Sequence, residues 1–166
     1  MRAVQAYPLD DVGFEPFGRV LRVPAPDTAA PTISRPGVTL FGDLARIAAV
    51  GDDVEFGLAV LDPREPGLDR LERHGRTAEL LFAVRGDFVL AVAPPGGDVP
   101  LPEEVCCFVV RTGEGCVLKP SAWHWAPYPM HGTCEVLVGF RAGTPHDDMH
   151  IVPLHGGEDM SVEWSS

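Results

Sequence analysis

One device recurs through the middle of the chain: a short apolar run followed by a glycine or proline break. Leu80–Val84, Phe88–Val92, Val105–Val110 and Cys116–Leu118 are separated by Arg85-Gly86-Asp87, by the Pro/Gly stretch Pro94–Pro102 and by Gly113-Glu114-Gly115. Val54–Leu61 and Cys134–Phe140 are further runs of the same kind. Runs of this length bounded by turn residues read as β-strands, and a spacing of roughly ten residues is that of a sandwich or barrel. Leu80–Val84 and Phe88–Val92, joined by a glycine turn, are expected to pair as a hairpin. Both are apolar at nearly every position, as in strands covered on both faces. Upstream, Phe14–Val23 reads as a turn and a first strand. Residues 24–37 read as a loop, and Leu68–Arg73 as a segment that follows a Pro-Gly break and ends polar.

Composition narrows the function classes. The chain has 166 residues and 45% hydrophobic content, which suits one domain over residues 1–166 with a substantial core. Its formal net charge of −11 argues against nucleic-acid or anionic-membrane partners, which need a basic face. A small anionic substrate stays compatible, because a local pocket can oppose the global field. No apolar run reaches the ~18 residues of a membrane span. The opening MRAVQAYPLDD turns acidic before a signal-peptide core could form, so a cytoplasmic location is expected. Cys106, Cys107, Cys116 and Cys134 form no C-x-x-C pair, which removes support for a zinc knuckle. Cys106 and Cys107 would point to opposite faces of a strand, at least one of them into the core.

The residues with chemical promise are His74, Glu79 and His124. His74 and Glu79 stand in an H-x4-E-x6-G pattern ending at Gly86, and Gly115, Pro120 and Trp123-His124 follow. This resembles the paired motifs of the cupin superfamily, a jelly-roll-like β-barrel fold, here with minor helical turns. That resemblance makes His74, Glu79 and His124 both the metal ligands and the catalytic residues. Imidazole and carboxylate suit a borderline divalent ion at about 2.0–2.2 Å, and three protein ligands leave an open position for substrate. Nickel, manganese, zinc and iron all fit such a set. His74 and Glu79 are an odd number of residues apart, so a regular strand would aim them at opposite faces. A bulge or bend is therefore required, and Gly75 is the natural place for it. Glu72, two residues before His74, is a weaker candidate ligand. Arg76, Trp123 and Trp125 are the candidate substrate contacts, although packing is the commoner role of a tryptophan.

More narrowly, the chain is similar to the ureidoglycolate lyase family. The likeness rests on Phe14-Glu15-Pro16-Phe17-Gly18, Asp43-Leu44-Ala45, Leu71-Glu72-Arg73-His74 and Arg85-Gly86-Asp87. It continues in Gly115-Cys116-Val117, Trp123-His124 and Val136-Leu137-Val138-Gly139-Phe140. The resemblance implies a homodimeric carbon–nitrogen lyase that releases urea and glyoxylate from ureidoglycolate in allantoin breakdown. The chain departs from the family pattern at Glu79, where the family has Gln, at Leu40 in place of an Arg, and at Leu118 in place of a Tyr. These departures leave open a cupin enzyme acting on another small carboxylate, or a cupin that only binds a small ligand.

Overall fold

Side chains of a strand alternate between faces, so an all-apolar strand needs cover on both sides. Phe88–Ala93 has it. Phe88, Leu90 and Val92 enter one buried cluster with Phe14, Leu81, Phe108 and Val136. Val89, Ala91 and Ala93 enter a second cluster with Leu71, Cys107 and Trp123. Cys106 packs against the first cluster and Cys107 lies in the second, on opposite faces as expected. The structure is a computed structural model and describes residues 1–22, 24, 29–42, 44–49 and 53–165. Val23 of the expected first strand, residues 25–28 of the expected loop and Asp43 lie outside the described residues.

Two curled sheets enclose the first cluster. The larger runs in the order His150–Pro153, Arg70–Arg73, Trp123–His124, Phe88–Ala93, Cys106–Val110, Arg2–Pro8, Met160–Glu163, Gly67–Leu68, with Tyr128–Pro129 beside Phe88–Ala93. The smaller runs Gly18–Leu21, Gly115–Leu118, Glu79–Arg85, Cys134–Arg141, Val54–Leu61. A separate ribbon pairs Ile33–Arg35 with Val38–Leu40. The only helical pieces among the described residues are single turns, such as Asp11–Phe14, whose Asp10 cap accepts the Val12 and Gly13 N–H groups. The result is the all-β, jelly-roll-like barrel that the sequence led us to expect.

One expectation is corrected. Leu80–Val84 and Phe88–Val92 do not pair as a hairpin, because Glu79–Arg85 belongs to the smaller sheet and Phe88–Ala93 to the larger. Phe88–Ala93 pairs with Cys106–Val110 instead, and Glu79–Arg85 pairs with Gly115–Leu118. Residues 79–118 therefore form one long hairpin bent across both sheets. Its crossings are the turns at Gly86 and Gly113, and Asp87 ties them together by accepting from the Thr112 N–H and the Arg111 guanidinium, each at 2.8 Å. The sequence reading also missed Arg2–Pro8 as a strand. Ala6 is its only buried residue, so it lacks the apolar pattern that marks the others.

Gly86 shows why the crossing needs glycine. Its φ is +79°, and a Cβ there would lie 2.9 Å from Cys134 Cβ. Gly113 has a similar φ of +87° but nothing within 4 Å of an added Cβ. Gly86→Ala is therefore expected to lower unfolding stability by about 1–3 kcal/mol, as strain and overpacking combine. Gly113→Ala should lose less, about 1 kcal/mol from backbone strain alone. Urea-denaturation midpoints of the two variants check the difference.

Candidate metal and active site

Three strand positions aim polar side chains into the barrel. On the larger sheet His124 pairs directly with Glu72 and, on its other side, with Val92 of the interior cluster. Glu72 and His124 are thus cross-strand neighbours on the inward face. On the smaller sheet Leu81 and Ala83 belong to the interior cluster, and Glu79 shares their inward face by alternation. His74 lies just beyond Arg70–Arg73. A bend at Gly75 and Arg76 follows it, so the odd spacing to Glu79 is resolved as the chain passes between the sheets.

These side chains meet. The Glu79 Oε2 atom lies 2.8 Å from His124 Nε2 and 3.4 Å from His74 Nε2. Glu72 Oε1 lies 3.7 Å from His124 Nε2. The two imidazole centroids are 5.1 Å apart, and the Phe140 ring stands 6.3 Å from His74. His74, Glu79 and His124 are 6%, 7% and 4% exposed, so the cluster sits beneath the surface. The side chain of Glu72 is the most open of the four, at 15%.

Each imidazole has its other nitrogen committed to the backbone. His74 Nδ1 is 2.8 Å from the Asp148 carbonyl and His124 Nδ1 is 3.1 Å from the Ala122 carbonyl. A carbonyl only accepts, so both Nδ1 atoms donate and both rings present Nε2 to the carboxylates. The His74 carbonyl accepts from the Ser121 N–H at 2.7 Å, linking the two histidine segments. Ser121 itself adopts a φ of +65°, a conformation unusual for serine that is held at the site.

The electrostatics follow from crowding charge into a dry interior. Burial alone would raise the Glu79 carboxyl, but the neighbouring imidazoles outweigh it and hold the group down at about 2. Burial likewise pulls His124 down, and the charge of Glu79 more than reverses this, lifting His124 to about 9. Burial pulls His74 down too, and the neighbouring Glu79 carboxylate outweighs it, leaving His74 raised as well. Glu72 is raised, chiefly by burial. The two carboxyls of one cluster are thus driven apart in acidity.

The cluster suits a cation. Glu79 Oε2 and His124 Nε2 are close but lack the alignment of a hydrogen bond, and both are buried without a hydrogen-bond partner among the described residues. Ligating atoms of Glu72, His74 and His124 all lie within 4.8 Å of one another. Two imidazole nitrogens and one or two carboxylates are a donor set that first-row divalent ions accept.

The other sequence candidates are placed elsewhere. Trp123 lies in the second cluster, with Arg73 stacked 4.3 Å from its ring, and Trp125 packs against the same cluster. Alternation turns both away from His124. Arg76 is exposed, its guanidinium 2.6 Å from Asp147. Leu118 is a core residue of the barrel and Leu40 lies on the exposed ribbon. Sequence reasoning did not connect Asp148 to His74, since the two lie seventy-odd residues apart and only the fold brings them together.

A family model described as ureidoglycolate lyase matches residues 1–157 of the chain. The ureidoglycolate lyase of Azotobacter vinelandii (strain DJ / ATCC BAA-1303) is 29% identical over 168 residues, covering 98% of this chain and 97% of that protein. Ureidoglycolate lyase 2 of Rhizobium meliloti (strain 1021) is 29% identical over 144 residues, covering 82% and 85%. Among solved structures, an oxalate decarboxylase of Bacillus subtilis gives a TM-score of 0.43 at 17% identity, covering 76% of this chain and 30% of that one.

The acidities predict how stability varies with pH when chelator keeps the protein metal-free. Glu79 is depressed, so its contribution is complete above ~4.3, the unfolded carboxyl value, and is lost as pH falls towards about 2. His124 is raised, so its contribution is complete below ~6.5, the unfolded imidazole value, and is lost as pH rises through about 9. Thermal midpoints should therefore decline between about pH 6.5 and 9, and His124→Gln should flatten that limb.

Proposed function

The chain belongs to the ureidoglycolate lyase family, and from that premise we propose that it cleaves ureidoglycolate into glyoxylate and urea. The observation that carries this reading is the cluster of two histidines and two glutamates inside the barrel, buried except for the half-buried Glu72. The substrate is a small anion whose reacting carbon bears both a hydroxyl and the ureido nitrogen. Breaking the carbon–nitrogen bond requires the hydroxyl oxygen to lose a proton as it becomes the carbonyl of glyoxylate. The departing nitrogen must gain a proton to leave as urea.

Glu72 is the group we assign to moving that proton. Its carboxyl is raised by burial, it is the most open member of the cluster, and a carboxyl with raised pKa both accepts and returns a proton readily. Glu79, held ionised between the imidazoles, keeps His74 and His124 in place. His74, Glu79 and His124 are the residues we propose to hold a divalent ion. Once bound, the ion supplies positive charge for the substrate carboxylate and for the oxygen that loses its proton. Glu79 also favours a second reading, a divergent metal-binding cupin enzyme acting on another small carboxylate, because the family pattern has Gln at this position.

We further propose a homodimer acting in the cytoplasm. No helix among the described residues is long and apolar enough to cross a membrane. Val54–Leu61 ends the smaller sheet and exposes Val54, Phe56, Leu58 and Val60 at 38%, 62%, 55% and 60% on one face. An apolar edge strand of this kind favours cover by a partner, and an antiparallel edge can pair with its own copy about a two-fold axis.

Purified protein given ureidoglycolate should release glyoxylate above the spontaneous background, and no release with manganese, nickel, zinc or iron would remove the substrate assignment. Glu72→Gln should lower kcat about 100-fold while leaving metal uptake within about threefold, whereas His124→Ala should lose both. Leu58→Asp should convert a dimer to monomer by light scattering after gel filtration. A monomeric parent would end the dimer reading.

A further inference from the structure

We propose that Asp148 is a positioning residue that sets the tautomer and direction of the His74 ring. This rests on the reading of His74 as a working member of the site. Asp148 makes three hydrogen bonds to the segment that carries His74. Its carbonyl accepts from His74 Nδ1 at 2.8 Å. Its carboxylate accepts from the Gly75 N–H at 3.0 Å through one oxygen and from the Arg76 N–H at 2.9 Å through the other. The bend that lets His74 and Glu79 share the barrel interior is therefore closed by both oxygens of one carboxylate, seventy-odd residues along the chain. The same residue's carbonyl directs the ring.

Asp148 is itself braced. The Asp147 carboxylate is paired with the Arg76 and Arg141 guanidinium groups, and the Asp147 carbonyl accepts from Arg76 at 3.1 Å. Arg141 is anchored in turn, its N–H donating to Thr77 Oγ1 at 2.9 Å and its carbonyl accepting from Thr144 Oγ1 at 2.7 Å. The Asp148 side chain is only 11% exposed, so water competes little for its contacts. A ring nitrogen held by a carbonyl leaves the opposite nitrogen, Nε2, with its lone pair aimed at the cluster. That is the state a ligating imidazole needs. Removing the carboxylate frees the bend, and a freed bend moves His74 away from the carbonyl that fixes its tautomer.

The test compares Asp148→Ala with Asp87→Ala, since Asp87 caps another turn by the same chemistry, holding the Thr112 N–H at 2.8 Å. Ring 15N NMR at a pH where His74 is neutral reads the tautomer directly and needs neither metal nor substrate. His74 should be a single Nδ1-protonated species in the parent and in Asp87→Ala, and a mixture in Asp148→Ala. Titration with manganese alone should show a Kd weakened about 10- to 100-fold in Asp148→Ala and within twofold in Asp87→Ala. Asp148→Asn, which keeps one acceptor oxygen, should fall between. A His74 ring that remains Nδ1-protonated in Asp148→Ala overturns the assignment. If the parent takes up no metal, the metal reading of the site fails, while the tautomer readout still decides the role of Asp148.

Discussion

An ionised carboxylate inside an apolar barrel is the constraint around which this fold is arranged. Glu79 is almost fully buried, and removing a charge from water costs several kcal/mol unless partners return the interaction. The partners are the Nε2 atoms of His74 and His124, at 3.4 and 2.8 Å. They come from different stretches of chain and, with Glu79, from both sheets. The barrel must close for the three to meet, so cluster and fold depend on one another.

The long bent hairpin makes that closure possible. Had Glu79–Arg85 paired locally with Phe88–Ala93, Glu79 would have lain beside its sequence neighbours in one sheet. The crossing at Gly86 places it opposite, on the smaller sheet, facing His124 of the larger. The second corner at Gly113 returns the chain so that Gly115–Leu118 can flank Glu79–Arg85. Leu118 pairs with Glu79 in that register and is itself a core residue, so the carboxylate is seated against a packed strand.

The sequence made the strands visible wherever they are apolar on both faces, as at Phe88–Val92 and Cys134–Phe140. It also made visible the three residues that converge, through spacing and resemblance. It did not reveal which strands pair. A glycine turn between two apolar runs fits a local hairpin and a crossing between sheets equally well, and the strands that complete the pairing, Cys106–Val110 and Gly115–Leu118, lie far along the chain. Arg2–Pro8 was invisible for the opposite reason, since pairing with Cys106–Val110 and Met160–Glu163 holds it while burying little of it. The role of Asp148 stayed hidden because it lies seventy-odd residues from His74 and meets that segment only in the fold.

Charge accounting links the cluster to the kind of ligand it can accept. Glu72 and Glu79 bring two negative charges, and neutral imidazoles at 74 and 124 add none. Such a site would repel an anionic substrate, in a chain already at −11. Two routes restore balance: protonating both imidazoles, or binding a divalent cation through the same Nε2 lone pairs. Protons and metal therefore compete for one set of atoms, and metal binding must release protons. The raised His124 shows how strongly the metal-free cluster holds its protons. A protonated His124 places positive charge 2.8 Å from Glu79 and 3.7 Å from Glu72, the member of the cluster most open to solvent. An anion arriving there meets that charge together with a carboxyl of raised pKa, which is the combination that moving a proton beside a bound carboxylate requires.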